Sequence, residues 1–160
     1  MKLVVTRCEE AIAPFMDTMC SSHGAFVAGR GIGLLEAEDA DASKSVVEAQ
    51  IIAATWYDGW NGANMNAHIA ARPGRRWMTR EFLWYMFHYP FVEVGVKRLT
   101  GFVASTNYDA RRFDEHLGFT LEATLKDAAP DGDMLVYRMM KDECRWLKLR
   151  RTPPIPEGVH

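Results

Sequence analysis

Apolar and polar positions along this chain follow two rhythms, and the change from one to the other marks out its elements. Lys2 to Arg7 is a short, largely apolar run of strand length. From Cys8 to Cys20, Ala11, Phe15 and Met19 recur at helical spacing with Ile12 and Met16 beside them, which predicts a helix. Pro14 inside that run is a position for a kink or a late start. Gly29, Gly31 and Gly33 lead into the segment GIGLLEAE, a second strand, and the polar run Glu38 to Lys44 reads as a turn. Ser45 to Tyr57 is rich in β-branched and aromatic residues and predicts a long strand. Asp58-Gly59 and Asn61-Gly62 are turn pairs of the kind that join antiparallel strands. Asn64 to Ala71 returns as a strand whose alternation puts Asn64, Asn66 and His68 on one face and Met65, Ala67 and Ile69 on the other.

The basic segment ARPGRRWMTR then turns into a helix, Met78 to Tyr89, with Met78, Phe82, Tyr85, Met86 and Tyr89 at helical spacing and apolar residues nearly all round; Pro90 ends it. Arg98 to Ser105 is a strand. Asn107 to Leu117 is a helix with Ala110, Phe113 and Leu117 on its inner face, and Gly118 suits the left-handed position that closes it. Phe119 to Lys126 and Met134 to Met140 form a last strand pair around Pro130-Asp131-Gly132-Asp133. Strand–helix–strand order implies one parallel pair, because a crossover of that length returns the chain in the same direction. The expected fold is α/β (α+β): a mixed, mostly antiparallel sheet with helices on both faces. Residues 1–147 read as one domain and 148–160 as a polar, Pro-rich, disordered tail. The sequence contains no internal repeat.

Composition narrows the partners. At 160 residues the chain can bury roughly two-thirds of its unfolded surface, enough for a real core. A net charge of −2 provides no global field for a nucleic acid or an anionic membrane, so any basic site is local. Cys8, Cys20 and Cys144 are odd in number and widely spaced, so they outline neither a disulfide framework nor a zinc site and suggest a reducing compartment. The opening MKLVVTRCEE turns polar too soon for a signal peptide, and no apolar stretch approaches the ~20 residues that span a bilayer. The reading is cytoplasmic.

One block carries chemistry. After the strand RLTGFVAS come Asn107, Ala110 three residues later, and Gly118-Phe119 eleven and twelve residues after the Asn. This block resembles the second conserved block of the GNAT superfamily, the acyl-CoA-dependent N-acetyltransferases. The ending, with Tyr137-Arg138-Met139 and then Glu143-Cys144-Arg145-Trp146, is similar to a GNAT ending as well. The likeness spans roughly residues 45 to 147 and is looser before them. It implies that the fourth and fifth strands, NMNAHIAA and RLTGFVAS, run parallel and then splay, and that acetyl-CoA or another acyl-CoA enters the gap and pairs with the fourth strand. It further implies a pyrophosphate on the loop that opens the next helix, where free amide protons and the helix dipole stabilise phosphate oxygens. Carried over in this way, the cofactor residues are Ile69, Ala70, Arg72, Gly74, Arg75, Arg76, Trp77, Met78, Thr79, Asn107, Ala110 and Phe113. Asn107 would hydrogen-bond the pantetheine arm.

Two departures from the family stand out. Its loop pattern is R/Q-x-x-G-x-G/A, whereas here only Gly74 is in register and Arg75, Arg76 and Trp77 follow, so that either the loop is shifted or Arg side chains substitute for part of the backbone approach. Many members also carry, seven residues after the Asn, a Tyr that protonates the leaving thiolate. Asp114 stands there, after Phe113. An ionised carboxylate cannot donate a proton unless its pKa is strongly raised, so Asp114 reads as a solvent-facing helix residue, with Tyr108 or Ser105 as substitutes.

Acetyl transfer needs a base for the amine proton, a donor for the developing oxyanion, alignment of the reactants and departure of the thiolate. In the family the oxyanion donor is a backbone amide of the fourth strand, which falls here near His68 to Ala70. His68, on that strand and of a residue type that titrates near neutrality, is the first choice of base, with a hydrogen-bonded core histidine as its bland counterpart. Glu36, Asp58 and Glu122 are alternatives. His116, late in its helix, faces solvent, and Trp56, Tyr57 and Trp60 either shape an acceptor pocket or pack a core. The leading function is transfer of an acetyl or other acyl group to a primary amine of a small molecule or protein. The alternatives are a catalytically lapsed binding or structural protein of the same fold, such as a component of a phage-derived assembly, and a nucleic-acid module built on the Arg-rich turn, against which the acidic net charge weighs. A homodimer is compatible with the leading reading.

Overall fold

The two rhythms of the sequence reappear as buried faces. The computed structural model describes residues 2–20, 26, 28–38 and 48–149. Its strands are β1 (Lys2–Thr6), β2 (Arg30–Ala37), β3 (Ile51–Asp58), β4 (Asn64–Ala71), β5 (Arg98–Ala104), β6 (Thr120–Ala129) and β7 (Gly132–Met140). Its helices are α1 (Glu9–Cys20), α2 (Arg80–His88) and α3 (Tyr108–Leu117). The seven strands run in the order β1-β2-β3-β4-β5-β7-β6. β4 and β5 are parallel, and the β1–β2, β2–β3, β5–β7 and β6–β7 pairs are antiparallel. This is the mixed, mostly antiparallel sheet that the order of elements implies. The expected turn beyond Glu38 and the tail from residue 150 lie outside the described residues.

Several boundaries differ from expectation, each for a local reason. The long strand expected from Ser45 starts at Ile51, after a 3₁₀ turn at Glu48–Gln50. The carbonyls of Glu48 and Ile51 accept from the Arg72 guanidinium at 3.2 and 2.7 Å. Helix α2 starts at Arg80 rather than Met78, because Thr79 caps it: the Thr79 hydroxyl accepts from Phe82 N–H at 3.1 Å. Pro90 does not stop the chain's winding. It sits in a π-helical turn, Tyr89–Val94, where its missing N–H falls in the first turn and leaves no gap in the ladder. Gly95, at φ +84°, closes that turn, and its N–H and that of Val96 both donate to Pro90 O at 3.0 Å. Pro14 lies inside a continuous α1, whose Ala11, Ile12, Phe15 and Met16 are buried on either side of it. No helix among the described residues is long and apolar enough to cross a membrane.

The chain divides into two compact units. The first comprises residues 1–58 and 69–86 with the C-terminal segment from 149. Its core joins Ile12, Phe15 and Met16 of α1 to Phe26, Ile51, Ala54 and Trp56. The second comprises residues 59–68 and 87–148. Its core is Leu99, Val103, Leu117, Phe119, Leu135, Tyr137 and Met139. Phe87 stacks on Trp146 with centroids 6.5 Å apart, and Trp146 Nε1–H donates to Leu117 O, the last residue of α3, at 2.8 Å.

Gly31 shows how tightly α1 seats on β2. A Cβ there would stand 2.8 Å from Ile12 Cγ2 and 3.0 Å from Trp56 Cε3. Gly31→Ala therefore overpacks the first unit's core, a cost of about 1–3 kcal/mol. The expected result is a melting temperature lower by roughly 3–10 °C. An unchanged transition in calorimetry would contradict this packing.

Candidate functional site

In the second unit, β4 and β5 share a ladder of three rungs: Asn64↔Arg98, Met65↔Leu99 and Asn66↔Thr100. Among the described residues their register ends there, while β4 continues through Ala67 and His68 and β5 through Gly101 and Phe102. Polar side chains tie the closed end. Thr100 Oγ1–H donates to Asn64 Oδ1 at 2.6 Å, Asn64 Nδ2 donates to Asn66 Oδ1 at 3.4 Å, and Arg98 Nε donates to Thr100 Oγ1 at 3.3 Å. Backbone groups on the facing edges beyond the ladder are suited to an extended, amide-bearing ligand.

Helix α3 covers the sheet face that carries Leu99, Gly101 and Val103. Asn107 is its N-cap, the side-chain oxygen accepting from Ala110 N–H at 3.2 Å, and Gly118 at φ +107° closes it. Ala110 and Phe113 are half-buried on this helix, and Leu117 is fully buried. Asp114 is not the solvent-facing residue that the sequence suggests. Its Oδ2 lies 3.7 Å from where a Cβ of Gly101 would stand, one residue past the last rung of the parallel ladder. Burial, helped by the negative charge of Glu115, pushes its pKa up to about 7. Its neighbour Glu115 accepts from the Tyr137 hydroxyl at 3.0 Å, and Tyr137 is itself pushed up, mainly by burial. Tyr108 is 66% exposed, with the Arg111 guanidinium 5.4 Å from its ring centroid. Ser105 is held in the β6–β7 turn region, its hydroxyl accepting from Asp133 N–H at 3.1 Å.

The opposite face carries Asn64, Asn66, Arg98 and Thr100 and, by strand alternation, His68 and Phe102. Glu122 is bound there by Arg98 at 2.9 Å and Arg138 at 3.6 Å. His116 is exposed, as expected, and its carbonyl accepts from Arg145.

The first unit holds the basic turn. Gly74, at φ +73°, takes the left-handed conformation that a side chain there would resist. Leu3 and residues 75–80 line a groove of about 700 Å³. Arg75 is ion-paired to Glu36, and that hydrogen bond holds the Glu36 carboxylate below its usual range. Arg76 is exposed and takes part in no ion pair among the described residues. Trp77 packs edge-on against Phe82, with centroids 6.0 Å apart. Met78 is exposed, and Thr79 is the α2 cap. Arg72 points into its own unit, its guanidinium on the two β3-side carbonyls and 5.2 Å from the Phe15 ring centroid. Ile69 is half-buried, and Ala70 packs on the α1 core. Trp56 and Tyr57 are core residues, with the Tyr57 hydroxyl donating to Met86 O, whereas Trp60 is 63% exposed in its turn.

Nothing in the local sequence marks Asp114 as half-buried: a Cβ on Gly101 would sit at an ordinary contact distance from it, 3.7 Å.

No protein-family model and no curated protein sequence matches the chain. Solved structures do. A chimera of the spermidine N-acetyltransferase SpeG from Vibrio cholerae with hSSAT aligns at a TM-score of 0.64 and 14% identity, over 89% of this chain and 98% of that one. The acetyltransferase of the GNAT family from Bacillus anthracis aligns at 0.61 and 13%, over 89% and 97%. The protein yncA from Salmonella typhimurium, solved with its cofactor acetyl-CoA, aligns at 0.61 and 11%, over 89% and 96%. At such identities the likeness is one of fold: this chain has the fold of the GNAT acetyltransferases.

Proposed function

We propose that the protein transfers an acetyl group from acetyl-CoA to a primary amine. The observation that carries this reading is the three-rung parallel ladder, with a half-buried carboxyl beside the first residue past its end. The strand edges beyond the ladder take the amide-bearing arm of the cofactor, and Asn107 borders it. The turn Gly74–Thr79 takes the phosphates, with Arg76 as the available guanidinium. Acetyl-CoA bound to yncA supports the choice of cofactor. The odd number and wide spacing of Cys8, Cys20 and Cys144 support a reducing, cytoplasmic setting.

In the reaction the amine nitrogen bonds to the thioester carbon, the carbonyl oxygen becomes an oxyanion, and the C–S bond then breaks. A backbone N–H of His68 to Ala70 stabilises the oxyanion. His68 takes the amine proton, directly or through a water. Asp114, rather than the exposed Tyr108, returns a proton to the departing thiolate. A carboxyl whose pKa lies at about 7 is still substantially protonated at neutral pH, which an ordinary aspartic acid is not. The lapsed-enzyme alternative drew on the absence of a Tyr at this position, and a protonated Asp114 weakens it.

Titration calorimetry with acetyl-CoA tests the cofactor site. Arg75→Ala/Arg76→Ala should weaken binding tenfold or more, on the order of 1.5–3 kcal/mol, with most of the loss in the Arg76 single variant because Glu36 already holds Arg75. Unchanged affinity in a folded double variant contradicts the phosphate placement.

Asp114→Asn tests the acid. Its folded pKa of about 7 lies above the ordinary aspartic acid value of 3.8, so the protonated form favours folding. Stability is therefore lost as pH rises from about 4 to about 7, where the unfolded chain ionises first. Removing that penalty should raise the melting temperature at pH 8 and change it little at pH 4. Turnover should fall by about 10²–10⁴, and the basic limb of the pH–rate profile near 7 should vanish. Full activity in Asp114→Asn would assign the proton to another donor.

A further inference from the structure

The sheet of the second unit has unlike faces. Across from α3, the registers set Phe102 opposite Val136 and Val136 opposite Ala123, and on the next same-face rung Ala104 opposite Met134 and Met134 opposite Leu125. These six side chains form an apolar strip three strands wide. Phe102 is 46% exposed and Leu125 44%. Two strand spacings make the strip roughly 10 Å across. Adjoining large apolar side chains on an open sheet face mark a binding surface, which scattered ones do not.

The position of the strip bears on what it binds. Phe102 follows Thr100 on the same face, so the strip begins one step past the last rung of the β4–β5 ladder, on the face that carries His68. Helix α3 closes the other face there, bringing Asp114 to Gly101. An acceptor that reaches the end of the ladder over β7 and β5 crosses the strip. At the strip's flank, charge is already compensated: Glu122 lies between Arg98 and Arg138, and Arg138 also holds Glu143 at 2.9 Å. Both carboxylates of that flank are shared with arginines, which suits a polycation poorly.

We infer that this strip is the acceptor floor and that the acceptor is a primary amine on an apolar body of ring size or roughly six to eight carbons, the length of the ~10 Å strip. Phe102 sets the preference. The inference rests on the acyl-transfer reading.

The test is acetyl transfer, read as thiol release at saturating acetyl-CoA, to ethylamine, butylamine, hexylamine, octylamine, 2-phenylethylamine and spermidine. The kcat/KM should rise by roughly three- to fourfold per added methylene, up to the length of the strip. Phe102→Ser and Leu125→Ser should flatten that slope, and Leu125→Ser should leave the Kd for acetyl-CoA unchanged. A flat series in the unaltered protein, spermidine preferred over octylamine, or an undiminished slope in both variants overturns the inference. If acetyl-CoA binds and spermidine alone is turned over, acyl transfer stands and only this inference falls; if acetyl-CoA does not bind, both fall. Sedimentation showing a dimer that Phe102→Ser dissociates would make a second copy the occupant and also overturn it.

Discussion

Backbone hydrogen bonds must be satisfied somewhere, and in this chain that requirement centres on one short parallel ladder. β4 and β5 bond over Asn64–Asn66 and Arg98–Thr100 and then continue without further registered rungs among the described residues. Three rungs are few, and side chains reinforce them: Thr100 to Asn64, Asn64 to Asn66 and Arg98 to Thr100. The closed end is fixed by these contacts, so that the strand edges beyond it are presented in a set geometry. On the proposed reading, that preorganised edge is what a thioester's pantetheine arm completes.

A glycine and a carboxyl give the fork its chemistry. Helix α3 sets the Asp114 carboxyl beside Gly101 of β5, and desolvation there moves an ordinary aspartic acid into the neutral range. The carboxyl is destabilising when ionised, a cost a surface residue would not carry, and such costs concentrate where function needs them. Across the sheet the same strands present polar Asn66 and Thr100 and then the ring of Phe102, so the two faces of one fork differ in both charge and polarity.

Local pattern made much of this legible in the sequence. β4 begins and ends where alternation and the Asn-Gly turn put it, and α3 is closed by Gly118 as its left-handed position predicts. Elements whose ends depend on distant partners were not legible. β3 starts at Ile51 because Arg72, 21 residues away, binds its leading carbonyl. Pro90 continues a helix because a π turn absorbs its missing N–H. The half-burial of Asp114 is not legible because helical periodicity says which face a residue shares but not how closely that face approaches the sheet. Of the basic turn, the sequence showed the charges but not that Glu36 engages Arg75 and leaves Arg76 available.

The central claim is that the open edge past the ladder receives acyl-CoA. Hydrogen–deuterium exchange of backbone amides, with and without saturating acetyl-CoA, addresses it residue by residue. Slowed exchange on cofactor binding is expected at the amide of Ile69, which by strand alternation faces the gap, with Met65 and Leu99 inside the ladder already slow and unchanged. Protection that appears elsewhere while the Ile69 amide exchanges at its original rate would contradict it.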